Sequence, residues 1–165
     1  MKYYAIKWDL PRQKLQGRRT MKNIMFMGPV AAGKTSLIQR LKGEEVCYKK
    51  TQAIEFLDGT IDTPGEYIEN RHFLYALTVT AADADIIIFV QDAVRGNVWY
   101  SPGQASMFSA HVIGVVTKID IAAPQTIDDA ENILKLAGVE QVFKVSAYTA
   151  EGIDELTEYI RKIGS

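Results

Sequence analysis

Gly28-Pro29-Val30-Ala31-Ala32-Gly33-Lys34-Thr35-Ser36 follows directly on the apolar run Ile24-Met25-Phe26-Met27. A buried strand running into a glycine loop and then a helix is the arrangement that cradles a nucleotide's phosphates. The glycines let the backbone wrap so that successive N–H groups face inward as an anion nest. The helix predicted to open at Lys34 adds its free N–H groups and its dipole. Lys34 is placed to neutralise β/γ oxygens, and the Thr35 hydroxyl to ligate Mg²⁺. The whole stretch from Gly28 to Ser36 therefore reads as a phosphate site.

The 165 residues suit one domain large enough to bury most of its apolar surface. A net charge of −1 gives no reason to expect nucleic acid or anionic lipid as a main partner. The single cysteine, Cys47, excludes an internal disulfide framework and suits a reducing compartment. It reads as a small apolar filler or an idle surface thiol. No apolar run approaches bilayer-spanning length, and the expected location is cytoplasmic.

Charge is unevenly placed. Residues 1–20 hold six Lys/Arg and one acid, Asp9, against 13 bases and 19 acids in the remainder. Met21 stands just before the first strand, so residues 21–165 read as the domain and 1–20 as a basic extension. In that extension Tyr4, Ile6, Trp8 and Leu10 alternate before Pro11, which fits an extended segment and not a secretory signal. It reads as an added edge strand or docking arm, or as an upstream extension with no part in the chemistry, the reading favoured here.

Along the chain, Leu37, Ile38 and Leu41 form a helical face that stops at Gly43. Residues 44–52 read as a polar loop. Ala53–Phe56 and Thr60–Asp62 suggest a hairpin around Asp58-Gly59, and Phe73, Leu74, Leu77 and Ala81 a second helix. Ile86–Val90 and Val112–Val116 are continuous apolar runs, as expected of strands covered on both faces. Thr126-Ile127-Asp128-Asp129 resembles a capping box ahead of Ala130, Ile133, Leu134 and Ala137. A strand over Gln141–Val145 and a helix presenting Ile153, Leu156, Ile160 and Ile163 complete the pattern. Residues 95–108 are too irregular for a full helix. His111 at a strand start and His72 read as structural. The alternation indicates a three-layer α/β/α domain with a mostly parallel sheet, and with the phosphate loop a P-loop NTPase, whose ligand sits beyond the carboxyl ends of the strands.

Three further elements at strand ends narrow the ligand. Asp62-Thr63-Pro64-Gly65 offers an acid to hold Mg²⁺ through water and a Gly65 N–H able to reach a γ-phosphate unhindered. Thr117-Lys118-Ile119-Asp120 ends a strand. Guanine presents an N1–H and a 2-amino group side by side, so one Asp120 carboxylate accepts from both, while adenine offers an acceptor at N1 and nothing at C2. Sites built to pair such groups strongly reject ligands lacking them. The Lys118 stem is placed to lie along the base plane. In Ser146-Ala147-Tyr148, a backbone N–H from Ala147 is available to the guanine carbonyl.

In this order the elements resemble the translation-factor-like small GTPase domains. The closer resemblance is to the EutP/PduV family of ethanolamine- and propanediol-utilisation GTPase-like proteins. It rests on Met27 to Thr35, on Tyr48-Lys49-Lys50-Thr51-Gln52-Ala53-Ile54-Glu55, on Ile61-Asp62-Thr63-Pro64-Gly65-Glu66-Tyr67-Ile68-Glu69-Asn70-Arg71, and on Ala81-Ala82-Asp83-Ala84-Asp85. It covers Lys22 to the C-terminus and leaves the basic extension out. The resemblance implies GTP or GDP with Mg²⁺ as ligands and association with a bacterial microcompartment, through a shell or enzyme partner. It also implies a first-switch role for Thr51, 17 residues after Lys34, closing on Mg²⁺ and the γ-phosphate. Lys49 and Lys50 read as a solvated basic loop, with phosphate contact as the alternative.

The residues read as catalytic are Lys34, Thr51, Gly65 and Glu66, and those read as metal-holding are Thr35, Thr51 and Asp62. Glu66 stands where many GTPases carry a water-orienting glutamine. A carboxylate beside a γ-phosphate is repelled unless it points away, is protonated, or is balanced by Arg71, His72 or a lysine. Val30 also crowds the loop where many relatives have glycine. Slow intrinsic hydrolysis follows. Three functions stay open: a guanine-nucleotide switch, a phosphotransferase of the acetate kinase type with His72, Arg71 or Lys50 as cationic help, and a docking protein that binds nucleotide without turnover.

Overall fold

The computed structural model describes residues 23–48, 50–57 and 59–164. The basic extension, Lys49 and Asp58 lie outside the described residues.

Strand β1 (Ile24–Met27) is buried throughout because its two faces meet two separate cores. Ile24 and Phe26 point to one, Met25 and Met27 to the other. The same alternation divides β4 (Ile86–Asp92): Ile86, Ile88 and Val90 on one side, Ile87 and Phe89 on the other. A strand covered on both faces has no polar alternation to show, which is why these runs read as continuous. Replacing a fully buried residue such as Ile87 by alanine costs about 2–5 kcal/mol.

The sheet has six strands in the order β2-β3-β1-β4-β5-β6, the others being β2 (Glu55–Leu57), β3 (Thr60–Asp62), β5 (His111–Thr117) and β6 (Val142–Lys144). All neighbours pair in parallel except β2 and β3, which form an antiparallel hairpin at the edge. Helices α1 (Lys34–Leu41) and α5 (Ile153–Gly164) cover one face, and α3 (Leu74–Ala81) and α4 (Pro124–Leu136) the other. The expected three-layer architecture is present.

Several boundaries differ from the sequence reading. The hairpin strand is Glu55–Leu57, so it starts later than Ala53. The second helix is divided: a one-turn helix α2 (Glu66–Glu69), a 3₁₀ turn at Arg71–Phe73 in which Asn70 caps His72 N–H, and then α3. The capping box does not form. Helix α4 begins at Pro124, whose missing N–H costs nothing in the first turn, and Thr126 lies inside it, its hydroxyl donating to the Ala123 carbonyl. Cys47 is exposed and paired with Gln39, which removes the apolar-filler reading. The segment after β4 is irregular as expected, with a 3₁₀ turn at Gln104–Met107.

Candidate functional site

The loop between β1 and α1 turns on Gly33, whose φ of 89° lies in the left-handed region that a side chain disfavours. Helix α1 starts immediately, so its free N–H groups open toward the loop. Lys34, 6% exposed, reaches back and donates to the carbonyls of Gly28 (2.8 Å) and Pro29 (2.9 Å). Burial pulls its ammonium down to about 8, with Asp62, Glu69 and Glu66 acting in the opposite direction.

Three segments far apart in sequence meet at one carboxylate. Thr35 Oγ1 and Thr51 Oγ1 lie 3.0 Å apart, and both donate to Asp62 Oδ2, at 2.8 and 2.7 Å. Asp62 Oδ1 is buried and meets no donor among the described residues. Thr63 fixes the next turn by donating to the Phe26 carbonyl at 2.7 Å. Gly65 follows, packed so closely that an added Cβ would stand 2.1 Å from the Val30 nitrogen. Any side chain there would displace the phosphate loop. Glu66 is balanced by a lysine, forming an ion pair with Lys50 at 2.6 Å, both side chains about half exposed.

The other end is fastened to the same loop. Thr117 Oγ1 donates to the Ala32 carbonyl at 2.6 Å. Lys118 Nζ bridges the Ala31 carbonyl (2.6 Å) and buried Asp92 (2.5 Å). Ala31 and Lys118 both hold positive φ, 59° and 62°. Such conformations cost on the order of 1–3 kcal/mol each and persist where surrounding contacts impose them. Ser146 is buried and takes the Thr149 N–H on its hydroxyl. Arg40 of α1 binds the carbonyls of Ala147 and Tyr148, tying that turn to the helix behind the phosphate loop.

A single cleft of about 260 Å³ runs between the two ends. Of the residues singled out in the sequence, it brings together Val30, Ala31, Gly33, Lys34, Thr35, Ser36, Thr51, Gly65, Thr117, Lys118, Asp120, Ala147 and Tyr148. It does not include Gly28 and Pro29, which serve Lys34 through their carbonyls, nor buried Ala32 and Ser146. Asp62 accepts from the two threonines and Glu66 pairs with Lys50, and neither acid lines the cleft itself. Arg71 and His72 are exposed and do not line the cleft, whereas Lys50 and Tyr48 do.

Asp92, Arg40 and Tyr100 were not singled out. Asp92 ends β4 two residues beyond the apolar run, and a carboxylate following such a run is the signal that was available. Tyr100 places its hydroxyl between the Met27 and Val90 carbonyls, at 2.9 and 2.8 Å, inside the second core. Nothing local marks either Tyr100 or Arg40, since their partners lie across the fold.

Comparison with known proteins agrees with this architecture. The G domain of the T. maritima FeoB iron transporter is 26% identical, with a TM-score of 0.57 over 88% of this chain and 99% of that one. Elongation factor SelB from Methanococcus maripaludis, solved with the GTP analogue GppNHp, is 24% identical with a TM-score of 0.59; this chain spans 34% of its length. The fold is that of a P-loop NTPase. In sequence, the propanediol utilization protein PduV of Citrobacter freundii is 48% identical over 136 residues, 82% of this chain and 91% of that protein. A protein named "Probable acetate kinase EutP" from Escherichia coli is 32% identical over 145 residues, 87% of this chain and 91% of that one. The PduV-EutP family, described as ethanolamine utilisation and propanediol utilisation, matches residues 21–162, and the chain belongs to it.

Proposed function

We propose that the chain binds a guanine nucleotide with Mg²⁺ and acts as a slow GTP hydrolase or switch, in association with a bacterial microcompartment for ethanolamine or propanediol catabolism. The observation that carries the nucleotide reading is the cleft itself, lined by Lys34, Thr35 and Gly65 at one end and by Lys118, Asp120 and Ala147 at the other. One cleft thus carries side chains suited to a polyphosphate and side chains suited to a base. At the base end Asp120 accepts from the guanine N1–H and 2-amino groups, and the Ala147 N–H donates to the ring carbonyl.

The donor set also fits the metal. The Thr35 and Thr51 hydroxyls and the unpartnered Asp62 Oδ1 are hard oxygen ligands of the kind Mg²⁺ takes. No group of three or more His, Cys, Asp or Glu occurs among the described residues, and Mg²⁺ held by substrate phosphates and one carboxylate needs none. When bound, the ion neutralises charge on the phosphates. Thr51 would help hold it, Gly65 would offer its N–H to the γ-phosphate, and Lys34 would exchange its loop carbonyls for phosphate oxygens. Release of Thr51 and Gly65 after hydrolysis frees the loops around residues 44–52 and 63–72, the surface offered to a shell or enzyme partner.

Hydrolysis is slow because Glu66 supplies no neutral amide to orient water and is engaged in an ion pair with Lys50. Unaided small GTPases run as slowly as ~10⁻⁴ s⁻¹. Lys50 in the cleft also favours a second reading, transfer of the phosphoryl group to a carboxylate such as acetate, because an anionic acceptor needs a cation beside the γ-phosphate. Single-turnover formation of the nucleoside diphosphate from GTP and from ATP, with and without acetate and with free phosphate and acetyl-phosphate assayed separately, distinguishes the two. The expected result is an acetate-independent rate well below about 1 s⁻¹. Acetate-dependent turnover with a preference for ATP would replace the hydrolase by the kinase.

A further inference from the structure

Val30 has functional surroundings on both sides. One side lines the nucleotide-sized cleft, and the other lines a cavity of about 30 Å³ with Glu69, Gln91, Arg95 and Trp99. The Val30 N–H donates to Glu69 Oε1 at 2.7 Å, and its carbonyl accepts from Arg95 Nη1 at 3.4 Å. Gly65, at the opposite end of α2 from Glu69, is in near contact with the same peptide nitrogen. One end of α2 is thus bonded to the Val30 amide and the residue before its other end packs against it. The Glu69 carboxylate already sits as an anion on a loop amide, the kind of donor that otherwise serves phosphate. The carboxylate is exposed and acts on the Lys34 and Lys50 ammonium groups, of which Lys50 is itself engaged with Glu66, while Arg95 lies on the carbonyl side of Val30.

We propose that Glu69 is a specificity-determining residue that sets the preference of the cleft for a nucleoside diphosphate over a triphosphate. The assignment rests on the nucleotide reading above. The third phosphate is the one that approaches Gly65 and α2, so it meets the fixed negative charge behind Val30. The inner phosphates lie along the loop and the start of α1 and meet it less. The preference is electrostatic, and it is therefore separable from the hydrogen bond that holds α2.

Glu69→Gln keeps an acceptor for the Val30 N–H and removes only the charge. Calorimetric titration with GDP and with a non-hydrolysable GTP analogue, both with Mg²⁺, reads the ratio of the two affinities. In Glu69→Gln the analogue gains about fivefold relative to GDP, the size expected of one charge at partly solvated separation. Glu69→Ala shifts the ratio the same way and in addition speeds hydrogen exchange of the α2 amides. An unmoved ratio in Glu69→Gln, with GDP binding intact, overturns the assignment alone. A ratio that moves only in Glu69→Ala also overturns it, because the bond and not the charge would then be responsible. Failure of the wild-type protein to bind either nucleotide removes both the assignment and the reading beneath it.

Discussion

At the phosphate end of the cleft Lys34 is buried on two carbonyls, and Thr35 and Thr51 share one carboxylate oxygen. At the base end Asp120 is exposed and Tyr148 is 64% exposed, while the fastening is done from behind by Asp92 and Arg40. Ligand entering the first end must exchange internal hydrogen bonds for its own, so the net gain is smaller than the contacts suggest. Ligand entering the second end displaces mainly water. Under the proposed nucleotide reading, binding strength would depend on a few charged groups at the closed end, and discrimination between bases on one exposed carboxylate, Asp120.

The largest effect expected from that contrast is at Lys34. Lys34→Ala removes the buried ammonium that contacts the Gly28 and Pro29 carbonyls, and it should weaken GDP about a hundredfold, as loss of charge-assisted hydrogen bonds does. Fluorescence titration checks it, and a change below about threefold would shift the weight to the base end. Next comes Asp92→Asn, which leaves Lys118 without its buried partner. GDP should weaken about tenfold while inorganic pyrophosphate is unaffected. An equal loss for pyrophosphate would place the defect in the phosphate loop through Ala31.

The smallest effect is on stability of the ligand-free protein. Because burial lowers the Lys34 ammonium to about 8, the unfolded chain binds more protons than the folded one from there up to the ordinary lysine value of 10.5. Stability should rise with pH across that window relative to Lys34→Met, which lacks the group. Chemical denaturation at a series of pH values reads this. Parallel pH profiles for the two proteins would show that Lys34 is not desolvated as the fold implies.

How much of this could be read in the chain depended on distance along it. Gly28 to Ser36 and the runs Ile86–Val90 and Val112–Val116 were legible because short-range pattern and burial coincide there. Thr126 misled because a local capping signal competed with Pro124, which starts the helix two residues earlier. Helix α2 is a single turn, too short for any periodicity to register. The Lys50–Glu66 pair was anticipated only as a lysine balancing the acid. The contacts of Glu69 with Val30, Asp92 with Lys118 and Arg40 with Ala147 span 39, 26 and 107 residues. Hydrogen bonds over such separations are fixed by topology and leave no local trace.

The measurement that bears on all of this is calorimetry of the purified protein with GDP and ADP in the presence of Mg²⁺, repeated on Asp120→Ala. The expected result is saturable GDP binding, much weaker ADP binding, and loss of the difference in Asp120→Ala with the fold intact. Equal affinity for the two nucleotides, or GDP affinity unchanged in Asp120→Ala, would contradict it.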